Sequence, residues 1–114
     1  MKRYFGNNGT RRVVVVTAQS YSMLDGSPTQ EEGWYELSGL FDWGTLGQRS
    51  LRLAYAILRD LGASEATALR YGQKLLLNLI SKQPHERRLA ITESQVLDNM
   101  GCKAVDALQE VGNT

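Results

Sequence analysis

The 114-residue chain predicts an α+β domain: a small antiparallel sheet in the first third, two antiparallel helices packed on it, and a short third helix. Three observations predict this. Val13 to Val16 are four successive β-branched residues, stiff at χ1 and suited to a pleated surface. Two apolar stripes follow at three- and four-residue steps. One runs through Leu51, Ala54, Ile57, Leu58 and Leu61, the other through Ala68, Leu69, Gly72, Leu75, Leu76, Leu79 and Ile80. Thr92-Glu93-Ser94-Gln95 then has the form of a capping box, with Ile91 and Val96 at the staple positions.

Residues 1–24 read as strands. Tyr4 and Phe5 end a first run, and Gly6-Asn7-Asn8-Gly9 is a turn, because Asn and Gly tolerate positive φ. Arg12 to Thr17 is the second strand and pairs with Tyr4-Phe5 as a hairpin with a long loop. Its unbroken apolar run suits a strand covered on both faces, or one covered on one face with a partner on the other. Residues 25–47 are the least regular. Asp25-Gly26-Ser27-Pro28 is a turn signal and Gln30 to Gly33 is polar. Trp34, Tyr35, Leu37, Leu40, Phe41 and Trp43 follow, with a short third strand expected within Trp34 to Phe41. So much large apolar surface is expected to fold down over the helices.

The first helix is expected over 48–61, with Gly62 as its left-handed stop. Ser64 caps the second, over 65–82, and Glu65 suits its first turn. A link this short makes the two antiparallel neighbours. Gly72 offers the first helix a close approach, and Pro84 ends the segment. Leu89-Ala90-Ile91 is a fourth strand or an extended linker. The capped helix carries Val96, Leu97 and Met100 and stops at Gly101. Residues 102–114 form a weak helix or a frayed tail, so a single domain over 1–114 has its core at 3–100.

Composition bounds the rest. With 42% hydrophobic and 22% charged residues, disorder of the whole is excluded. The one cysteine, Cys102, allows neither an intramolecular disulfide nor a cysteine-bound metal, which favours a reducing, cytoplasmic compartment. The amino terminus lacks a signal-peptide apolar run, and no run approaches the ~20 residues of a membrane span. No cofactor fingerprint is present. The net charge of +1 is distributed in blocks: basic over 1–12, acidic over 13–42, basic over 43–88 and acidic over 89–114. Such blocks polarise a surface and matter for steering partners.

Phe41-Asp42-Trp43-Gly44-Thr45-Leu46-Gly47, followed by Leu51-Arg52-Leu53-Ala54-Tyr55-Ala56-Ile57-Leu58, resembles an uncharacterised family of small proteins from bacteria, their phages and mobile elements. That family shows a Trp-Gly-x-x-Gly turn, a Leu-Ala-x-Ala-Ile-Leu helix, a second helix and a short Leu-Thr-Glu ending, matched here by Ala90-Ile91-Thr92-Glu93. The opening Tyr4-Phe5-Gly6 and the valine strand are also similar, so the resemblance covers roughly residues 3–100. The chain departs from the pattern after Trp43-Gly44 and near Gln48 to Ser50, so Arg49 is not supplied by the family. The resemblance implies the fold and no established activity.

Several motifs carry two readings. Gly44 to Ser50 leads into a helix N-terminus, where free amides and Arg49 suit a phosphate, yet no Walker lysine is present. The structural alternative is a tight aromatic turn whose glycines supply positive φ. Arg49, Arg52 and Arg59 share one helical face, which Arg87 and Arg88 can join. That face suits phosphates or an acidic protein patch, or is a solvated outer surface with pairs such as Arg59 to Asp60 or Glu65. His85, the single histidine, is expected in an exposed loop, and Cys102 as an inert small apolar residue. Asp42, Glu31, Glu32 and Glu36 form a solvated acidic loop without the fixed spacing that acid–base chemistry needs. Trp34, Tyr35, Phe41 and Trp43 form a partner-binding or base-stacking surface if exposed and a lid on the helices if buried; burial is expected.

No motif fixes an activity. The leading expectation is a non-enzymatic interaction module, a phage or mobile-element accessory that binds a protein through the acidic aromatic loop and the basic helix face. A nucleic-acid-binding protein using Arg49, Arg52, Arg59, Arg87 and Arg88 is the alternative, and a small enzyme the third reading. A homodimer through the valine strand is compatible with all three.

Overall fold

The computed structural model describes residues 2–24 and 41–100. Four strands form one sheet: β1 (Arg3–Gly6), β2 (Val13–Val16), β3 (Tyr21–Met23) and β4 (Leu89–Thr92), in the order β3-β2-β1-β4. All neighbours are antiparallel. In the centre, Tyr4 of β1 stands opposite Val15 of β2 on one side and Ile91 of β4 on the other. Alternation then fixes the two faces. Tyr4, Gly6, Val13, Val15, Leu89 and Ile91 are buried, whereas Arg3, Phe5 and Ala90 are exposed and Val14 and Val16 half-buried. The valine quartet is therefore covered on one face only, and Leu89 to Thr92 is a strand, not a linker.

The third strand seen here is Tyr21–Met23. The strand expected within Trp34 to Phe41, Trp34 and Tyr35 themselves, the tail helix and Cys102 lie outside the described residues.

Three helices cover the inner face: α1 (Gln48–Asp60), α2 (Glu65–Asn78) and α3 (Glu93–Met100). In α1, Ser50 and every residue from Arg52 to Leu58 are buried. A helix apolar on one stripe but buried all round is a central one, and this decides the fate of its polar residues below. The Ser64 hydroxyl accepts a hydrogen bond from the Thr67 amide, as its capping role requires. The reciprocal capping box also forms: Thr92 Oγ1 accepts from the Gln95 amide at 3.2 Å, and Gln95 Oε1 from the Thr92 amide at 2.9 Å. Ile91 and Val96 beside it are both buried.

Two details of α2 differ from expectation. The helix ends at Asn78, because Leu79 leaves helical geometry (φ −132°, ψ −59°), and a 3₁₀ turn over Ile80–Lys82 completes the segment. Leu69 is exposed, since Ala68, Gly72, Leu75 and Leu76 already fill the buried side of the helix. Gly72 is not demanded by a close approach, because a Cβ placed there would stand 3.8 Å from Leu51 Cδ1, an ordinary contact. Gly72→Ala should therefore stabilise the protein by about 1 kcal/mol through helix propensity. A lowered thermal midpoint would show that the gap to Leu51 does not exist.

The start of the sheet is anchored to the end of α1. The Tyr4 hydroxyl donates to Asp60 Oδ2 at 2.8 Å, and Lys2 Nζ donates to the Asp60 carbonyl and carboxylate at 3.0 and 3.1 Å. Burial, then the Asp60 charge, then the hydrogen bond to it push the Tyr4 phenol well above the usual tyrosine range, with Glu93 adding to the effect. The folded chain thus holds this proton more tightly than the unfolded chain. The associated stability is present below about pH 10 and is lost as the unfolded phenol ionises above it. Tyr4→Phe should cost about 1 kcal/mol at pH 7, for the lost hydrogen bond. It should also flatten the decline in denaturation midpoint above about pH 10. Parallel curves for the two proteins from pH 8 to 11 would contradict the assignment.

Candidate functional site

Two regions gather chemistry. The first is the turn at Trp43. Arg11 adopts a left-handed φ of 58°, unusual for a side chain with a Cβ. Asn7 shapes that loop, its Oδ1 accepting from the amides of Gly9 and Thr10 at 2.8 and 3.0 Å. The Arg11 guanidinium lies 4.6 Å from the centre of the Trp43 ring and 3.7 Å from Asp42. His85 Nε2 is 3.2 Å from Asp42 Oδ1, and Nδ1 is 3.0 Å from Glu86 Oε1. His85 is therefore half-exposed against two carboxylates, not a free loop side chain, and Asp42 is engaged, not simply solvated.

This cluster surrounds a buried indole. Trp43 is fully enclosed, and its Nε1 donates to the Arg87 carbonyl at 2.9 Å. Gly44 (φ 74°) donates its amide to the Ile80 carbonyl at 3.0 Å, while Gly47 has an ordinary φ of −73°. Only the first glycine of the motif therefore needs positive φ. Phe41 is buried too, and its amide donates to the Arg11 carbonyl at 3.1 Å. The bonds of His85 among the described residues run to Arg11, Asp42 and Glu86, with no hydroxyl or thiol beside it. The arrangement joins three loops around a tryptophan and offers no nucleophile–base pair. Among the described residues no three His, Cys, Asp or Glu side chains are placed to hold a metal.

The basic helix face does not survive. Arg49 is exposed near the start of α1. Arg52 is only 1% exposed, 5.4 Å from the centre of the Phe41 ring, because α1 is covered on every side. Burial, with the Arg49 charge second, lowers its pKa from the usual arginine range. Arg59 turns back to close the link to α2, donating to the Ala63 carbonyl at 3.0 Å, and Asp60 is occupied by Lys2 and Tyr4. Arg49, Arg52 and Arg59 thus form no common surface. Phe41 and Trp43 are likewise enclosed, as the lid reading expects, and cannot be contacted from solvent.

The second region is the outer face of the sheet. Opposed residues point the same way, so this face carries two rows of strand residues. Tyr21, Val16, Arg3 and Thr92 form one, and Met23, Val14, Phe5 and Ala90 the next. Arg12, at the start of β2, extends the face, its carbonyl accepting from the Asn7 amide at 3.0 Å. Arg88 precedes β4 and lines the same 450 Å³ groove as Arg12, Phe5, Val14 and Met23. A second concavity of 500 Å³, on the other side of the apolar row, is lined by Arg3, Val16, Thr17 and Thr92. Phe5 is 41%, Met23 53% and Tyr21 79% exposed. Arg3, Arg12 and Arg88 are exposed, and none makes an ion pair among the described residues. Among the described residues, no strand residue on the face is acidic.

Apart from Arg88, which the sequence placed with the basic helix face, these residues escaped the sequence reading, although the signal was local. Once Tyr4 and Gly6 point inward, Arg3 and Phe5 must point outward, and Arg12 and Arg88 each stand one residue before an inward-facing Val13 or Leu89. Among the described residues no helix is long and apolar enough to cross a membrane.

A family described as "Family of unknown function (DUF6166)" matches residues 4–101. No curated protein and no solved structure matches the chain.

Proposed function

We propose that this chain, which belongs to that family of unknown function, is a binding module acting through the open face of its sheet. Its partner would present negative charge beside aromatic or apolar surface. One observation carries the reading: a band of exposed Phe5 and Met23 with half-buried Val14 between them lies between Arg3 on one side and Arg12 and Arg88 on the other, without an acid among the described residues of the band. Exposed apolar area rimmed by polar groups marks interaction surfaces, and unpaired guanidiniums select planar anions. A second copy of the same face would bring these cations against each other, which disfavours a face-to-face dimer. The role is binding rather than catalysis because the one histidine is committed to Asp42, Glu86 and Arg11. An accessory role in a phage or mobile element completes the reading.

Site-specific crosslinking in the native host tests it. A photoreactive phenylalanine analogue at position 5 should give an adduct that disappears with Arg12→Glu, while the same probe at the exposed Leu69 of α2 should give none. Equal adducts at both positions, or none at position 5, would remove the sheet face as the docking surface.

A further inference from the structure

We infer that the partner taken on this face is a single-stranded nucleic acid, its bases laid on Phe5 and Tyr21 and its phosphates held by Arg3, Arg12 and Arg88. The inference rests on the proposed docking role of the sheet and goes further by naming the partner. Its ground is the juxtaposition of two kinds of group on one flat surface. A ring on the central strand (Phe5) and a ring on the edge strand (Tyr21) are both open to solvent. They stand two strands across and two residues along from each other, about 12 Å at ordinary strand spacing and rise. Base faces stack on such rings without regard to sequence, and an open sheet surface leaves splayed bases room to lie flat.

The charges fit the same ligand. Three guanidiniums flank the apolar row on both sides, so a strand crossing it meets a cation before and after its stacked bases. Each presents a planar fork suited to phosphate oxygens. A duplex has its bases stacked away and would use the arginines alone. An acidic peptide would meet the same charges but gain less from exposed rings.

Fluorescence anisotropy with the full chain and labelled 12-nucleotide single-stranded DNA and RNA of mixed sequence tests this. The two oligonucleotides distinguish the sugar, and the matching duplex is the comparison. With three phosphate contacts, log K against log salt should slope by about −2, a loss of roughly twentyfold between about 50 and 200 mM salt. Arg12→Ala should flatten that slope by about 0.7. Phe5→Ala should weaken binding about tenfold with the slope unchanged, and Phe5→Tyr should retain binding. Both positions are exposed, and circular dichroism should show the wild-type spectrum for each variant. Arg49→Ala, on the far helix, should change nothing.

Three results would overturn the inference: no binding of either oligonucleotide at about 50 mM salt, equal affinity for the duplex with no effect of Phe5→Ala, or loss of binding with Arg49→Ala in place of Arg12→Ala. A position-5 crosslink to a protein, without oligonucleotide binding, would leave the docking face standing and remove only its nucleic-acid partner. Failure of both experiments removes both readings.

Discussion

Gly44→Ala is expected to destabilise the protein by about 3–5 kcal/mol, lowering the thermal midpoint by some 15 °C or more. Two penalties act together. Gly44 has φ 74°, a region that disfavours any residue with a Cβ. The added carbon would also stand 2.5 Å from the Gln83 carbonyl oxygen and 2.7 Å from the His85 amide nitrogen, which are backbone atoms and cannot rotate away. Gly62 separates the two contributions. Its φ is 100°, but nothing lies within 4 Å of a Cβ there, so Gly62→Ala should cost only about 1 kcal/mol. Equal losses in the two variants by denaturant titration would show that the contact with residues 83–85 is not tight.

Trp43→Ala should have an effect of similar size, about 3–5 kcal/mol, as expected for a fully enclosed aromatic. The indole fills the space under Gly6, whose Cβ position lies 2.7 Å from the ring edge. It also carries the Arg11 guanidinium on its face and bonds the Arg87 carbonyl. Its removal therefore empties a cavity and frees the loops holding Arg11 and His85. Trp43→Phe should recover much of the packing and lose the Nε1 bond, worth about 1 kcal/mol. The order wild type, Phe, Ala in chemical denaturation checks the assignment. An alanine variant as stable as the phenylalanine one would mean that the ring is not packed.

Local signals marked the frame well. The valine quartet, the capping box at Thr92 and Gln95, and the Ser64 cap each act within a few residues, and each formed as its chemistry dictates. What stayed hidden depends on partners far along the chain. Arg52 looks like part of an outer stripe beside Arg49 and Arg59, and only the covering of α1 on all sides reveals it as buried. The meeting of Arg11, Asp42 and His85 joins segments more than thirty residues apart, and no spacing rule announces it. Leu69 was misplaced because a stripe with seven candidates is wider than the groove that receives it. The candidate binding face was the opposite case. It is written in the alternation of β1, but a four-residue strand is a weaker signal than the aromatic-rich segment before α1.

The central strand of this sheet receives one neighbour from the adjacent hairpin and the other, β4, from more than eighty residues downstream. During synthesis the hairpin therefore emerges long before the strand that closes its free side. Until Leu89 to Thr92 leave the ribosome, β1 offers unpaired amides and carbonyls along an edge rich in β-formers, which invites pairing with other nascent chains. The late closure also makes assembly slow for so small a domain, since the entropy of a long loop must be overcome before the sheet gains its fourth member. Overproduction is thus expected to favour inclusion bodies at high translation rates and soluble protein when synthesis is slowed.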